Sequence, residues 1–300
     1  MNTYIKDFTN RYSYPEGAVD ALLSVYTVLK DNIEFNNIVT SFYDDTSLDF
    51  EVLSNKLKLI CEKNSLNTYT VQLLFCIMLT PALKKEYIKA GIDEQIFFDT
   101  VEDLKFKLME CYEVEKVWGV IPLGWLLGIF RMRTFALGRL EFNMGTFMGD
   151  STTVAGRRVE KDDLVINIHI PSSGKPFDQK SRMDSYEKAY YFFKDRFAGT
   201  EPLFRCETWI IYPRNKEIFN PKSNVVSFME DFKIVSSYEY SDNRNLWRIF
   251  GAYAELPPAQ LPRNTSMQRA VADWLEKGNR LGAGVGIFVF DPKNKGLLNY

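Results

Sequence analysis

The spacing of apolar residues changes partway along the chain, and this change restricts the possible folds more than any other feature of the sequence. In the first 120 residues, apolar side chains recur every three or four positions, the spacing of amphipathic helices. Beyond residue 133, apolar and polar residues alternate in short runs typical of strands, and single helical patterns separate these runs. The sequence therefore predicts an α+β protein: a helical N-terminal bundle followed by a mixed β-sheet flanked by helices. We place the domains at 1–120 and 121–300.

Capping residues mark where the N-terminal helices begin. The first strong helical pattern spans 15–30, and Asp49 opens a second. Asn67 or Thr68 opens a third pattern and Asp93 a fourth. No strand-like alternation interrupts these patterns, so we expect helices alone up to the domain boundary, which we place between residues 115 and 133.

The second half reads as short strands and helices in alternation. The expected strands are 134–147 with a bulge, a hairpin within 149–163, 164–170, 206–212, 233–240, 246–256 and a last strand 285–290. The expected helices begin at Asp178 and span 223–232 and 264–277.

Composition argues against nucleic-acid and membrane partners. The net charge is −2 over 300 residues with both signs interspersed, whereas a nucleic-acid-binding protein needs a basic face. The most apolar run, 117–130, is shorter than a span of about 20 residues and contains Pro122, which favours a buried core segment. The start of the chain lacks the apolar stretch of a signal peptide, so we expect a cytoplasmic protein. The sequence favours no particular oligomeric state.

Cysteine and histidine spacing argues against a metal site. The four cysteines, Cys61, Cys76, Cys111 and Cys206, form no CxxC pair, and the chain has one histidine. Because a cytoplasmic protein stays reduced, we expect free thiols and no structural metal.

The only histidine ends a predicted strand and precedes a small polar loop. Ser172, Ser173, Gly174 and Lys175 follow His169 within six residues, and a helical pattern comes next. The N–H groups of such a loop and of a helix start can bind a phosphate, although the same segment also suits a plain connection. Imidazole titrates near neutral pH, so His169 is a candidate general base; alternatively its ring bonds a backbone carbonyl at the sheet end.

Two further candidates lie at the start of the strand expected at 206–212. Cys206 could act as a nucleophile activated by His169, although a buried cysteine more often fills core space. Glu207 is a reserve base, and alternation along a strand points it away from Cys206. Alternation along the preceding strand places Val165, Asn167 and His169 on one face. Because Cys206 and Glu207 point to opposite faces, only one of them can share the face of His169.

The second half resembles the GNAT acyltransferase core. The segment 223–235, with Phe228, Met229 and Glu230, resembles the fourth-helix motif of that superfamily. More closely, most of the chain is similar to a bacterial family of acyltransferase-domain proteins with a helical N-terminal and a GNAT-like C-terminal domain. The residues that carry this likeness are His169-Ile170-Pro171, Gly174, Ser185, Phe192-Phe193, Cys206-Glu207-Thr208-Trp209, Ser223-Asn224 and Gln268-Arg269-Ala270.

The resemblance implies an acyl-CoA-dependent N-acyltransferase whose co-substrate is acetyl-CoA or another acyl-CoA and whose acceptor is a small amine. It implies that Ile170 and the 172–175 loop contact the cofactor and that Asn224 contacts its pantetheine arm, unless Asn224 caps the helix. Two departures favour an alternative, a catalytically degenerate ligand-binding or regulatory module. The loop has one glycine where GNAT enzymes usually have two, and Met229 stands where they often have a tyrosine.

Overall fold

Helices and strands occupy different parts of the chain in the computed structural model, which describes residues 1–45, 47–242 and 245–300. The chain divides into two units, Met1–Phe135 and Ala136–Tyr300. The first unit contains the helices α1 (Asn2–Arg11), α2 (Glu16–Leu29), α3 (Ile33–Ser41), α4 (Phe50–Asn64), α5 (Thr68–Lys89), α6 (Glu94–Val101), α7 (Asp103–Glu115) and α8 (Leu123–Phe130).

The predicted capping residues begin three of these helices. The side chain of Asp49 accepts a hydrogen bond from the backbone N–H of Val52 at the start of α4. Asn67 rather than Thr68 caps α5, and Asp93 caps α6. The predictions at Asp49 and Asp93 are confirmed, and the alternatives for α5 are settled in favour of Asn67.

Helix α5 is the centre of the first unit, because its buried residues point to all sides of the helix. It contacts α2, α4, α6, α7 and α8. Since α8 packs on α4 and α5, the unit extends to Phe135, beyond the boundary expected at residue 120. By length and composition no single described helix could cross a membrane; α4 and α5 pass that test only as a pair, bent by 119°.

The second unit alternates strands and helices as expected. Its strands are β1 (Thr134–Leu137, which begins in the first unit), β2 (Leu140–Thr146), β3 (Thr152–Val154), β4 (Arg157–Val159), β5 (Leu164–His169), β6 (Leu203–Thr208), β7 (Lys233–Glu239), β8 (Gly282–Asp291) and β9 (Gly296–Leu298). Its helices are α9 (Gln179–Phe193), α10 (Asn215–Ile218), α11 (Asn224–Met229), α12 (Trp247–Phe250) and α13 (Ser266–Glu276).

The main sheet is mixed, as predicted. Its strand order is β1-β2-β5-β6-β8-β7, with β9 also paired to β8, and β3 pairs with β4 in a separate hairpin. Strands β5 and β6 pair in parallel, whereas the pairs β2–β5, β6–β8, β7–β8 and β8–β9 are antiparallel. The parallel pair lies in the middle of the sheet, between antiparallel neighbours.

The two faces of the sheet pack against different elements. On one face, Tyr186 of α9 contacts the rings of Phe204 and Phe288, which stack 4.9 Å apart on β6 and β8. On the other face, Val154 and Val159 of the β3–β4 hairpin belong to a second apolar cluster. The strand residues of that cluster are Val165, Leu203, Ile287 and Val289.

Several expected elements differ from the observed ones. The bulged strand expected at 134–147 is a hairpin, because Gly138 adopts a positive φ of 82° and reverses the chain. The strand expected at 206–212 ends at Thr208 in a short 3-10 turn. Strand β8 is longer than 285–290, and β9 follows it.

The prediction of a strand at 246–256 is wrong, because this segment is helical. Its buried residues Leu246, Ile249 and Phe250 follow helical spacing, and they form α12 and a 3-10 turn. They pack with Val271 of α13 in an apolar cluster of their own.

Candidate functional site

The parallel strands β5 and β6 separate at their carboxyl ends. They pair at only two positions, Ile166 with Phe204 and Asn167 with Arg205. Beyond these positions the Cys206 thiol donates a hydrogen bond to the Ile168 carbonyl at 3.6 Å. Strand β5 continues to His169 and β6 to Thr208, so both strands extend beyond their last paired position; we call the region between these unpaired ends the opening.

His169 and Glu207 lie on the same face of the sheet, on opposite sides of this opening. Arg205 pairs in register with Asn167, and its guanidinium donates to the Asn167 side chain at 3.3 Å, so these two side chains share a face. Alternation along each strand then places His169 and Glu207 on that face as well. Cys206 points to the other face and is buried. The alternatives left open by the sequence are thus settled in favour of Glu207 as the residue that shares a face with His169.

A row of hydrogen-bonded polar side chains crosses this face. Asn167 donates to Asn143 on β2 at 3.0 Å and accepts from Arg205 on β6. Arg205 forms an ion pair with Glu207, whose other carboxylate oxygen accepts from the Tyr238 hydroxyl on β7 at 2.8 Å. The row links β2, β5, β6 and β7 and ends at Tyr238, and the Glu207 side chain remains 39% exposed. Each member is positioned by at least one neighbour in the row, so the carboxylate is held in a fixed orientation.

The position of Asn167 depends on a glycine in the adjacent strand. A Cβ added to Gly145 would come within 2.3 Å of the Asn167 amide nitrogen. A side chain at residue 145 would therefore require the Asn167 amide to shift from the position in which it donates to Asn143.

A buried carboxylate lies across from the histidine. The antiparallel register of β2 and β5 pairs Glu141 with His169, and Glu141 is 1% exposed. Directly opposed residues in such a pair have Cβ atoms about 4.5–5.5 Å apart. The two side chains therefore start from neighbouring positions on the same face of the sheet.

The loop after β5 is tied to the β1–β2 turn by one arginine. The Arg139 guanidinium donates to the carbonyls of Pro171 at 3.0 Å and Lys175 at 3.2 Å. Its backbone N–H also donates to the Ser185 hydroxyl in α9. Burial lowers the pKa of Arg139, and Glu141 opposes that shift. The loop ends are thus held by two charge-assisted hydrogen bonds.

The loop residues themselves face solvent. Ser172, Gly174 and Lys175 are exposed, and Gly174 has a φ of 66° that favours glycine. The Lys175 backbone N–H donates to the Ser173 hydroxyl at 3.3 Å. Hydroxyl groups, backbone N–H groups and one ammonium group can therefore meet an anion here.

The start of α9 is occupied by a carboxylate. The side chain of Asp178 accepts from the Ser181 backbone N–H at 2.8 Å, which confirms Asp178 as the predicted cap. This carboxylate uses one of the N–H groups that a phosphate would need and repels an anion at that point. A phosphate at this end of the sheet would therefore contact the 172–175 loop rather than the α9 terminus.

The helix α11 is capped by Ser223, not by Asn224. The Ser223 hydroxyl accepts from the Val226 backbone N–H at 3.3 Å, whereas Asn224 is the exposed first residue of the helix. The capping alternative for Asn224 is wrong, and contact with a ligand stays a prediction. Met229, in the same helix, is 4% exposed and packs in the core.

Burial determines the chemistry of Cys206. The side chain is 1% exposed, and burial raises the pKa of its thiol to about 12. A thiol with such a pKa is protonated at neutral pH, and only the thiolate is strongly nucleophilic. This geometry favours packing rather than covalent catalysis.

Sequence reasoning missed several residues of the site. Arg139 lies in a turn that the sequence suggested was continuous strand, Arg205 precedes the strand expected at 206–212, and Tyr238 occupies an ordinary alternating position in the strand expected at 233–240. Their roles come from register, and register between distant strands cannot be read from local spacing. Among the described residues, no group of three histidine, cysteine or acidic side chains could hold a metal ion.

Solved structures with a similar fold are acyltransferases. An acyltransferase in complex with decanoyl-CoA and teicoplanin superposes with a TM-score of 0.74 at 17% identity, over 95% of this chain and 87% of the other. An acyltransferase in complex with decanoyl-CoA superposes with a TM-score of 0.72 at 17% identity, over 94% of this chain and 86% of the other. An acyltransferase in complex with CoA and 10C-teicoplanin superposes with a TM-score of 0.71 at 16% identity, over 94% of this chain and 86% of the other. A search of curated proteins found no match.

Two family models match consecutive parts of the chain. The N-acyltransferase N-terminal domain matches residues 3–132, and the GNAT-like C-terminal domain matches residues 134–288. The second match spans more than half of the chain, and the expected α+β architecture is confirmed. The chain therefore belongs to the acyltransferase family that combines a helical N-acyltransferase N-terminal domain with a GNAT-like C-terminal domain.

Proposed function

We propose that this protein is an acyl-CoA-dependent N-acyltransferase that binds the acyl-CoA where β5 and β6 separate. The observation that carries the proposal is the opening beyond Asn167 and Arg205, with His169 on one side and Glu207 on the other. A thioester in this opening would lie between two side chains that can accept a proton.

The reaction requires a proton acceptor because an ammonium ion cannot attack a thioester. Once deprotonated, the amine nitrogen forms a bond to the acyl carbon and the carbon–sulfur bond breaks. A second proton passes from the nitrogen to the sulfur, so the amide forms and CoA leaves as its thiol. His169 accepts the proton in this scheme, and Glu141 across the strand pair stabilises the imidazolium that results. Glu207, held by Arg205 and Tyr238, attracts the cationic acceptor and is the reserve base.

The loop after β5 supplies the cofactor contacts in this proposal. The Ser172 and Ser173 hydroxyls, the Gly174 backbone N–H and the Lys175 ammonium group contact the phosphates of CoA. Ile170, the first residue after β5, would contact the pantetheine arm. On the β6 side, Asn224 at the exposed start of α11 would contact the same arm.

The similar solved structures bear on both substrates. Their complexes contain decanoyl-CoA, octanoyl-CoA and CoA, so we propose a medium-chain acyl-CoA in preference to acetyl-CoA. Two of them also contain teicoplanin or 10C-teicoplanin, a large glycopeptide. We therefore extend the proposed acceptor from small amines to larger molecules that carry an amine.

A second candidate function is a ligand-binding module without catalysis. The Asp178 carboxylate at the start of α9 favours it, because it leaves less positive potential for a pyrophosphate. Such a module would bind CoA through the 172–175 loop and transfer no acyl group.

The test compares acyl transfer by the wild type with transfer by His169→Ala and Glu207→Gln. The release of CoA thiol from decanoyl-CoA is measured with a panel of amine acceptors. We expect His169→Ala to lower kcat by about 10²- to 10⁴-fold, the usual contribution of a general base. Binding of CoA, measured by calorimetry, should stay unchanged.

A matched control separates this effect from a change in fold. Arg158→Ala removes an exposed side chain of the β3–β4 hairpin and should leave both kcat and CoA binding unchanged. Full activity in His169→Ala would remove this residue from the mechanism. CoA binding without transfer to any acceptor would favour the binding module.

A further inference from the structure

A groove in the first unit has the composition of a ligand site and no assigned role. It lies between α1, the second half of α5 and α6, and has a volume of about 400 Å³. Small-molecule pockets have volumes of roughly 300–1,000 Å³, so the groove is large enough for a ligand. Five aromatic side chains line it: Tyr4, Phe8, Tyr12, Phe97 and Phe98.

The polar ends of its two tyrosines are already used inside the unit. The Tyr4 hydroxyl is hydrogen-bonded to the Thr80 hydroxyl at 2.5 Å, and the Tyr12 hydroxyl donates to the Phe98 carbonyl at 3.2 Å. Their rings therefore present apolar surface to the groove. Together with the exposed side chain of Ile88, they suit a hydrocarbon chain better than a polar ligand.

Cations dominate the charged residues of the lining. Arg11, Lys84 and Lys85 line the groove, against one carboxylate, Asp7. The Arg11 guanidinium lies 3.9 Å from the centre of the Phe98 ring, which keeps its charge at the edge of the apolar surface.

The cations differ in how far they are already neutralised. Lys84 forms an ion pair with Glu94 at 2.5 Å. Within the described ranges, no carboxylate forms an ion pair with Arg11 or Lys85. Two positive charges beside an aromatic groove are thus available to an anionic ligand.

We propose that this groove binds an amphiphilic anion, a free fatty acid of medium chain length. Its alkyl chain would lie on the aromatic rings, and its carboxylate would meet Arg11 and Lys85. An apolar lining with cations at its edge matches a ligand that has both properties, whereas a neutral chain would leave the cations unused.

The test uses a decanoate that carries a photoreactive diazirine on its chain. The full-length protein is irradiated with this probe, digested, and the labelled peptides are identified by mass spectrometry. We expect adducts in peptides from α1, α5 or α6. Excess decanoate should compete with the labelling, and decyltrimethylammonium, with the same chain and the opposite charge, should not.

A charge-reversed pair of variants tests the role of Arg11. We expect Arg11→Glu to weaken probe binding by about tenfold, which corresponds to roughly 1.4 kcal/mol. Lys6→Glu makes the same charge change on the same helix, at an exposed residue outside the groove, and should leave labelling unchanged. Circular dichroism checks that both variants are folded.

Three results would overturn the proposal. The first is labelling confined to the second unit. The second is equal competition by the cationic amphiphile. The third is an equal effect of the substitutions at Arg11 and Lys6.

Discussion

His169 and Glu207 show how much of this site depends on single side chains in fixed register. Strand alternation alone predicted that His169 shares a face with Asn167. The hydrogen bond from Arg205 to Asn167 shows that Arg205, and with it Glu207, lies on this same face of the sheet. The carboxylate opposite the histidine, Glu141, was not foreseen, because 28 residues separate the two in the chain. Cross-strand partners follow from pairing, which the sequence does not specify locally.

Cys206 provides a test at the residue scale. Burial raises the pKa of its thiol to about 12, so iodoacetamide at neutral pH should leave it unmodified in the folded protein. Cys206→Ala should retain kcat and lose about 1 kcal/mol of stability, since a small buried group is removed. Mass spectrometry of alkylated peptides and urea unfolding provide the two measurements. Rapid modification of Cys206 with loss of activity would revive the covalent mechanism.

Asp103 gives the first unit a predictable dependence on pH. Burial raises the pKa of this carboxyl to about 6, against the attraction of Lys107 and a hydrogen bond from Trp125. Between about pH 4 and pH 6 the folded state therefore binds a proton that the unfolded state has lost. The contribution of Asp103 to the free energy of unfolding falls as the pH rises through that window. This rise in pKa corresponds to roughly 3 kcal/mol of free energy of unfolding.

The measurement compares urea unfolding of the wild type and Asp103→Asn at pH 4 and pH 7. For each pH we take the free energy of unfolding of Asp103→Asn minus that of the wild type. We expect this difference to be larger at pH 7 than at pH 4, by up to about 3 kcal/mol. Glu113→Gln, at an exposed position in the same helix, should show no such change. An identical pH dependence in wild type and Asp103→Asn would contradict the account.

At the scale of elements, the loop after β5 depends on the β1–β2 turn. Arg139 donates to two loop carbonyls, those of Pro171 and Lys175, and a lysine ammonium group at this position cannot reproduce the planar fork. We expect Arg139→Lys to raise the KM for acyl-CoA about tenfold, while kcat changes little, because the loop contacts the cofactor and not the acceptor.

Steady-state kinetics with decanoyl-CoA as the varied substrate would check this. Arg158→Lys, the same substitution on the exposed β3–β4 hairpin, serves as the control. An unchanged KM in Arg139→Lys would mean that the loop holds its shape without the arginine or does not contact the cofactor.

The sequence predicted elements best where local chemistry decides them. Capping side chains at Asp49, Asp93 and Asp178 form the expected hydrogen bonds, since a cap needs only its own first turn. The error at 246–256 arose because a short apolar run fits a strand or a buried helix equally well. Packing against α13 decides for the helix there, and packing is not local.

At the scale of the whole molecule, the change of apolar spacing correctly separated helices from strands. It placed the boundary at residue 120, whereas the first unit extends to Phe135, because the run 117–130 includes α8 and α8 packs on α4 and α5. The architecture could be predicted from the sequence pattern, and the family from the resemblance carried by segments such as 223–235. The polar row on the sheet could not, because it needs four strands in register.

The most direct test of the central claim is a calorimetric titration of the purified protein with decanoyl-CoA, acetyl-CoA and CoA, repeated on Lys175→Ala. An acyl-CoA site between β5 and β6 predicts micromolar binding of decanoyl-CoA, weaker binding of acetyl-CoA, and several-fold weaker binding of both by Lys175→Ala. The absence of binding by any of the three would contradict the account, because the opening between the strands would then hold no acyl-CoA.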